Sequence, residues 1–246
     1  MTNGNHPWTR RVSAFAFVLA IAAVLVAFIG MTLARFDLVG KLPGFMSFLY
    51  MVPVAGVAAL VGVIALIMNW RTGWPAAKKA VGAVLIGGGA FGAATLAMSP
   101  ASQVPAIHDI TTDLDSPPAF TELSIPEDNL RGVDTVEKWK EMHVEGYPDL
   151  DGIVVDASPA DVIAKAEQLA ADRGWTIAAA APEEGRLEAV SYASWIKFED
   201  IVVVQAVAQE QGGTRVDMRS VSRVGVSDLG ENAKRIRAFL ADLQAG

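Results

Sequence analysis

Three long uncharged hydrophobic runs in the first hundred residues limit the fold more than any other feature of this chain. They cover residues 12–34, 46–68 and 80–98. A helix of about twenty residues, rising ~1.5 Å per residue, crosses a hydrocarbon core of ~30 Å. A soluble core helix is the alternative, but it needs a polar face, and the first two runs have none. We therefore predict a membrane domain of residues 1–98 with three transmembrane helices.

Basic residues flank these runs unevenly, and this predicts the orientation. The first loop has only Arg35 and Lys41 beside Asp37. The amino-terminal flank and the second loop together hold the other basic residues of this part: Arg10, Arg11, Arg71, Lys78 and Lys79. Because Lys and Arg favour the cytoplasmic side, we expect the amino terminus to be cytoplasmic. The expected location is the inner (cytoplasmic) membrane of a bacterium, with the carboxyl-terminal domain in the periplasm.

The spans themselves favour an anchor or docking surface over a transporter. None contains Asp, Glu, Lys, Arg or His, so an ion pathway is not expected. In the third span, Gly88 and Gly92 form a small-xxx-small pair that allows close helix approach. We expect packing among the three spans of one chain. The alternative is contact with another membrane protein or a second copy, in addition to the lipid bilayer.

The charge balance reverses after Met98. Residues 1–98 carry seven Lys or Arg and one acid, net +6, whereas residues 99–246 carry thirteen against twenty-six, net −13. An acidic domain lacks the clustered cations that give affinity for phosphate backbones, so nucleic acid is not an expected partner. The chain has no cysteine, which excludes disulfides and thiolate chemistry.

The part after the membrane is predicted to be an α+β domain. Residues 99–130 contain five prolines and little periodicity, which indicates an extended linker or arm. Within residues 131–246, Asp134 is the expected cap of a first helix, and Asp228 is expected to cap the last. The patterns predict helices at residues 135–143, 158–174 and from 228 onward, and strands at residues 152–157, 175–181, 186–195, 200–209 and 214–222. One antiparallel sheet with two helices on one face would bury both helical stripes.

A polar string near the carboxyl end carries a family resemblance. Residues 215–240 read RVDMRSVSRVGVSDLGENAKRIRAFL. This resembles the family called domain of unknown function 1499, whose hallmark is R-S-x-S-R-x-G-x-S-D-x-G-x-N. The string matches at Arg219, Ser220, Ser222, Arg223, Gly225, Ser227, Asp228, Gly230 and Asn232, and further matches are HDITTD at residues 108–113, Pro117, Pro118, Phe120, Tyr147, Pro148, Gly174, Trp175 and Glu188. Two positions depart from the family pattern: Ile201 follows Asp200, and Gln205 stands where the family has an arginine. The resemblance covers roughly residues 105–243 and implies no activity.

The arginines of the string allow two interpretations. Alternation along a strand places Arg215, Asp217, Arg219 and Arg223 on one face. The first interpretation is an ion-pair network with acids such as Asp109 and Asp113 of the arm. The second is a pocket for a phosphate, a carboxylate or a lipid head group. The candidate ligand-binding residues are His108, Asp109, Asp113, Arg219, Ser220, Ser222, Arg223, Ser227, Asp228 and Asn232.

Neither a metal nor a cofactor is predicted, and a catalytic site is not the first interpretation. His108 and His143 have a spacing that matches no ligand motif. A hydrolase using Ser220 or Ser222 would lack the G-x-S-x-G elbow. We therefore expect a membrane-anchored binding or assembly module. The alternative is a membrane-surface hydrolase or lipid-modifying enzyme that uses His108, Asp109 and the region from Arg219 to Asp228.

Overall fold

The computed structural model describes residues 6–99 and 103–245. The chain divides into two compact units, Met1–Pro100 and Ala101–Gly246. The described part of the first contains three long apolar helices, and the second contains an antiparallel sheet with further helices. The predicted fold class, a membrane-anchored α+β protein with three apolar helices at its amino end, is confirmed.

The first unit is a bundle of three helices, α1 (Pro7–Arg35), α2 (Lys41–Thr72) and α3 (Ala77–Met98). All three are long and apolar enough to span a membrane. Each is longer than the hydrophobic run that predicted it, because the helix continues through the charged or polar residues at its ends. Pro7 stands in the first turn of α1, where its missing N–H has no intrahelical acceptor to lose, and Gly73 (φ 79°) ends α2 in the left-handed region.

The close contact between α2 and α3 is made at Gly87. A Cβ atom on Gly87 would lie 2.7 Å from the carbonyl oxygen of Ala55, so only glycine allows this approach. A Cβ on Gly88 would lie 3.9 Å from the nearest atom, and one on Gly92 would meet no described atom within 4 Å. The tight approach is therefore made one residue before the predicted pair.

The second unit contains one six-stranded antiparallel sheet. Its strands are β1 (Asp109–Thr111), β2 (Ile153–Val155), β3 (Thr176–Ala181), β4 (Arg186–Ala193), β5 (Phe198–Ala208) and β6 (Thr214–Ser222). The order is β1-β6-β5-β4-β3, and β2 also pairs with β6. Its helices are α4 (Val136–Gly146), α5 (Pro159–Asp172) and α6 (Glu231–Ala245), with a short 3-10 turn at Pro182–Glu184.

The two faces of the sheet are covered by different parts of the chain. On one face, α5 and α6 bury their apolar stripes, with Ile163, Met218 and Phe239 in the main core. On the other face, Val221 belongs to a smaller core that Phe120 and other side chains of the arm cover. The sheet therefore lies between a layer of helices and a layer of irregular chain.

Three local predictions needed correction. The arm was expected to contain no regular structure, but the strand β1 lies within it. This strand could not be read from the sequence, because three residues are too few to show an alternating pattern and its pairing is set by β6. The cap of α4 is Thr135 rather than Asp134, since the Thr135 Oγ1 accepts from the Lys138 amide at 3.1 Å. Finally, α6 begins at Glu231, because Leu229 (φ 56°) adopts a left-handed backbone that a helix cannot include.

Candidate functional site

The polar string covers the end of β6, the loop 223–230 and the start of α6. Along β6 the side chains alternate as predicted: Val216 and Met218 face the helices, and Ser220 follows them on that face. Arg215 and Arg219 lie on the opposite face, towards the arm. The strand β6 therefore presents its arginines and its serines to two separate environments.

Arg219 forms a buried ion pair with Asp109. Its Nε and Nη2 atoms donate to the two carboxylate oxygens at 2.9 and 2.6 Å, a bidentate geometry. The side chains are 13% and 4% exposed. Asn129 donates a further hydrogen bond to Asp109, and the Asp109 carbonyl accepts from the Trp139 indole at 2.9 Å. The guanidinium of Arg219 is thus engaged within the domain.

The other two arginines on this face also have acidic partners. Arg215 donates to both carboxylate oxygens of Asp217 at 2.9 Å. Arg223 lies 3.4 Å from Glu199, but both side chains are 42% exposed. Asp113 was expected to join this network, but its carboxylate instead accepts the amides of residues 115 and 116 at 2.9 Å.

On the helix face, Asn232 is the centre of a second network. Its Nδ2 atom donates to the Ser222 Oγ at 3.0 Å and to the His108 carbonyl at 2.9 Å. Its Oδ1 atom accepts from the Ser220 hydroxyl at 2.8 Å. Arg235 donates to the Oδ1 of Asn232 and to the Ser220 Oγ. Both candidate serines are therefore held by the amide of one buried asparagine.

Arg235 and Asp200 complete this network and were not among the predicted site residues. Arg235 Nη2 lies 2.5 Å from Asp200, and the side chains are 10% and 3% exposed. Two signals were available in the sequence. Arg235 follows Asn232 by three residues, which places both on one helix face, and Asp200 is a lone acid at the start of a predicted apolar strand.

Asp228 and Ser227 organise the entry to α6. The Asp228 carboxylate accepts the amides of Gly230 at 2.9 Å and Asn232 at 2.8 Å. Ser227 accepts the Leu229 amide through its hydroxyl at 3.2 Å. Burial raises the pKa of Asp228 to about 6, because a charged carboxylate is poorly solvated there. Asp228 therefore binds an amide of the first helical turn, as expected of a cap, although α6 begins three residues later than predicted.

His108 is buried beside the string. Burial and, less strongly, the positive charge of Arg131 lower the pKa of His108 to about 4, so this imidazole is neutral at neutral pH. Arg131 itself donates to the carbonyl oxygens of Gly225 and Ser222, both at 2.6 Å. Sequence reasoning missed Arg131, which fastens the loop 223–230 to the arm from more than ninety residues away.

The second histidine of the domain has a different position. His143 accepts the Thr111 amide through Nε2 at 3.2 Å and packs against the rings of Trp139 and Tyr147. Burial lowers the pKa of His143. Among residues 6–99 and 103–245, no three His, Asp or Glu side chains are grouped as they would be to hold a metal ion.

Glu188, which sequence reasoning quoted only as a family match, fixes the arm to the other side of the sheet. It is fully buried in β4. Its carboxylate accepts the amides of Thr121, Glu122 and Leu123 and the Thr121 hydroxyl at 2.6–3.1 Å. Burial alone would raise the pKa of Glu188, but these hydrogen bonds outweigh burial and lower it. Glu188 therefore acts as an ionised anchor for the arm.

The arrangement has the chemistry of an internal scaffold. Each guanidinium of the string has a carboxylate partner, and each of its serine hydroxyls has a hydrogen-bond partner. One surface groove in this unit is lined by Glu137, Lys140, Glu141, Val144 and Glu145 of α4, none of which is a predicted site residue.

Comparison with known families agrees with the resemblance seen in the sequence. The model of the family described as "Protein of unknown function (DUF1499)" matches residues 109–243, which is more than half of the chain. The search of curated proteins found no match to this chain.

Proposed function

The chain belongs to the DUF1499 family, and we propose that it is a membrane-anchored binding or assembly module in which the polar string is structural. The observation that carries this proposal is the internal pairing of the string. Arg219 is bonded to Asp109, and the two serine hydroxyls of β6 are bonded to Asn232. Groups that are bonded in this way hold the fold together, which supports a structural role for the string.

The alternative is a membrane-surface hydrolase or lipid-modifying enzyme built on His108, Asp109 and the region from Arg219 to Asp228. A nucleophile and its base must contact the substrate and each other. The hydroxyls of Ser220 and Ser222 are buried against α6, and His108 is 2% exposed. The geometry therefore supports the non-enzymatic role better.

An anionic group or lipid head group at the outer membrane face is a more specific form of the binding role. Of the two arginines that match the family hallmark, Arg223 is the one that such a group would reach, since its side chain is 42% exposed and that of Arg219 is 13% exposed. The ligand would have to displace Glu199, which lies 3.4 Å away. Binding of an acidic lipid to the full chain should then weaken with Arg223→Ala and strengthen with Glu199→Gln. Equal binding by both variants and the wild type would exclude this form.

We place the chain in the inner membrane of a bacterium, with the amino terminus in the cytoplasm and residues 103–245 in the periplasm. This proposal is supported by the uneven basic flanks of the three helices, since one end has only Arg35 and Lys41 and the other has Arg10, Arg11, Arg71, Lys78 and Lys79. Alkaline phosphatase fused to the carboxyl terminus should be active, and green fluorescent protein fused there should be dark. The reverse pattern would overturn the orientation.

The assembly role can be tested on α3. Gly92 remains open in the packing of this chain and Gly88 has room for a methyl group, which supports contact with another membrane protein or a second copy. In mild detergent, the full chain from its native cells should migrate as a larger complex. Gly92→Leu should disrupt that complex, whereas Val81→Leu at another exposed position of α3 should not. A monomeric wild type would refute assembly through this face.

A further inference from the structure

One end of the membrane unit forms a groove whose charged side chains are all cationic. Arg10 of α1 contributes one wall, and residues 74–79 of the turn into α3 contribute the other. The groove measures about 540 Å³, and its cations are Arg10, Lys78 and Lys79. Trp74 is 51% exposed and adds an indole ring to the lining.

The turn that precedes the two lysines is held in a fixed shape by Asn69, which is fully buried. Its Nδ2 atom donates to the Ser13 Oγ at 3.0 Å, and its Oδ1 atom accepts the Ala76 amide at 2.8 Å. The Asn69 carbonyl also accepts the Trp74 amide at 2.8 Å. Trp74 itself has a φ of 64°, which is uncommon outside glycine. One side chain therefore ties α1, α2 and the turn together, and the groove is formed before any ligand binds.

The positive charge of the groove has no acidic partner in its own unit. The single acid of residues 1–98 is Asp37, which lies in the loop between α1 and α2 and pairs with Lys41. The situation in residues 103–245 is the opposite, because Arg215, Arg219 and Arg235 all contact carboxylates there. Like charges that share a groove repel one another, so an anion that enters it is stabilised by all three cations.

We infer that this groove binds a phosphate ester, supplied by the head group of an anionic phospholipid. Basic residues at the membrane surface attract anionic lipids, and basic pockets between spanning helices bind such head groups. Ammonium and guanidinium groups form charge-assisted hydrogen bonds with phosphate oxygens, and an indole at the interface packs beside the lipid. A volume of about 540 Å³ lies in the range of small-molecule sites, so the groove has room for a head group and not only for a single ion. The inference concerns the membrane unit alone and does not depend on the role proposed for residues 103–245.

The test uses the full chain in a neutral detergent and native mass spectrometry. Phosphatidylglycerol is added in one arm and phosphatidylcholine with the same acyl chains in a second. Soluble glycerol phosphate is added in a third arm, since it offers the same ester without acyl chains. Each basic residue near a membrane surface contributes about a fivefold change in lipid affinity. Lys78→Gln with Lys79→Gln should therefore weaken phosphatidylglycerol binding by roughly 25-fold.

The matched control removes the same charge from the other end of the bundle, by Arg35→Gln with Lys41→Gln. It should leave phosphatidylglycerol binding within about twofold of the wild type. Selective retention of phosphatidylglycerol, lost only in the Lys78 and Lys79 variant, supports the inference. Binding of glycerol phosphate with the same dependence on these lysines supports the phosphate chemistry and assigns a soluble source. Equal loss in both variants, or equal retention of the two lipids, overturns it.

Discussion

Replacing Arg219 with alanine should destabilise the second unit by about 3–5 kcal/mol. The substitution leaves the Asp109 carboxylate 4% exposed and without its guanidinium. Breaking one partner of a buried ion pair costs about this much, because the abandoned charge remains in a poorly solvated place. The amide of Asn129 still donates to Asp109 and limits the loss, so we expect the lower half of this range.

The matched control is Arg223→Ala on the same strand face. Its pair with Glu199 is 42% exposed on both sides, and exposed pairs contribute under about 1 kcal/mol. Strand alternation predicted Arg223 on the same face as Arg219, but β6 ends at Ser222 and leaves Arg223 at the surface, so we expect Arg223 to contribute less to stability. The difference between the two variants therefore measures the effect of burial at nearly constant chemistry.

The measurement is urea unfolding of the full chain in detergent, monitored by near-ultraviolet circular dichroism. Trp139 and Trp175 contribute to this signal and pack in the main core of the second unit. With a urea dependence of ~2 kcal/mol per molar, a loss of 3 kcal/mol lowers the midpoint by about 1.5 M, whereas Arg223→Ala should lower it by less than about 0.5 M. Equal midpoints for the two variants would refute the structural role of Arg219.

Three further predictions follow from other buried groups. Glu188→Gln replaces one carboxylate oxygen with an amide donor, so it should cost about 2–4 kcal/mol of unfolding free energy. It should also accelerate hydrogen exchange at the amides of residues 121–123, and unchanged exchange would contradict the role of Glu188 as an anchor of the arm. Gly87→Ala should lower the melting temperature of the bundle, because its Cβ would lie 2.7 Å from a carbonyl oxygen, whereas Gly88→Ala should not. The pH dependence involves two groups of opposite sign. The pKa of His108 is lowered to about 4, so stability falls as the pH drops from about 6.5 towards 4, while the raised pKa of Asp228 adds stability as the pH drops below about 6. Asp228→Asn should therefore steepen the loss between pH 7 and pH 5 by about 1 kcal/mol in unfolding titrations, and a loss no steeper than that of the wild type would contradict these assignments.

The features that sequence reasoning predicted correctly are those set by local patterns. The three spans follow from runs of apolar residues, and the stripe of α6 follows from helical spacing. The alternation along β6 separated the arginines from the serines because a strand has a period of two. In each case the pattern that predicts the element lies within about twenty neighbouring residues. Such a pattern requires only that the element has an apolar surface to pack against.

The features it missed depend on partners that are distant in sequence. Glu188 anchors amides more than sixty residues earlier, Arg131 fastens carbonyls more than ninety residues later, and Asn69 bonds to Ser13 across the bundle. A buried polar group takes whichever partner the fold brings near it, and no spacing rule encodes that choice. The strand β1 was missed for the same reason, since its three residues pair with a segment more than a hundred residues away.

The residues that carry the family resemblance are mostly those that make these internal bonds. The loop 223–230 contains left-handed backbone at Gly225, Leu229 and Gly230, which leaves its amides and carbonyls without regular partners. Asp228 and Arg131 supply those partners, and Asn232 links the loop to β6. These bonds link the string to the fold of residues 103–245. Functional differences within the family should therefore be sought on exposed side chains of the matched region. Outside that region, Lys78 and Lys79 of the groove are the first residues of this chain to examine.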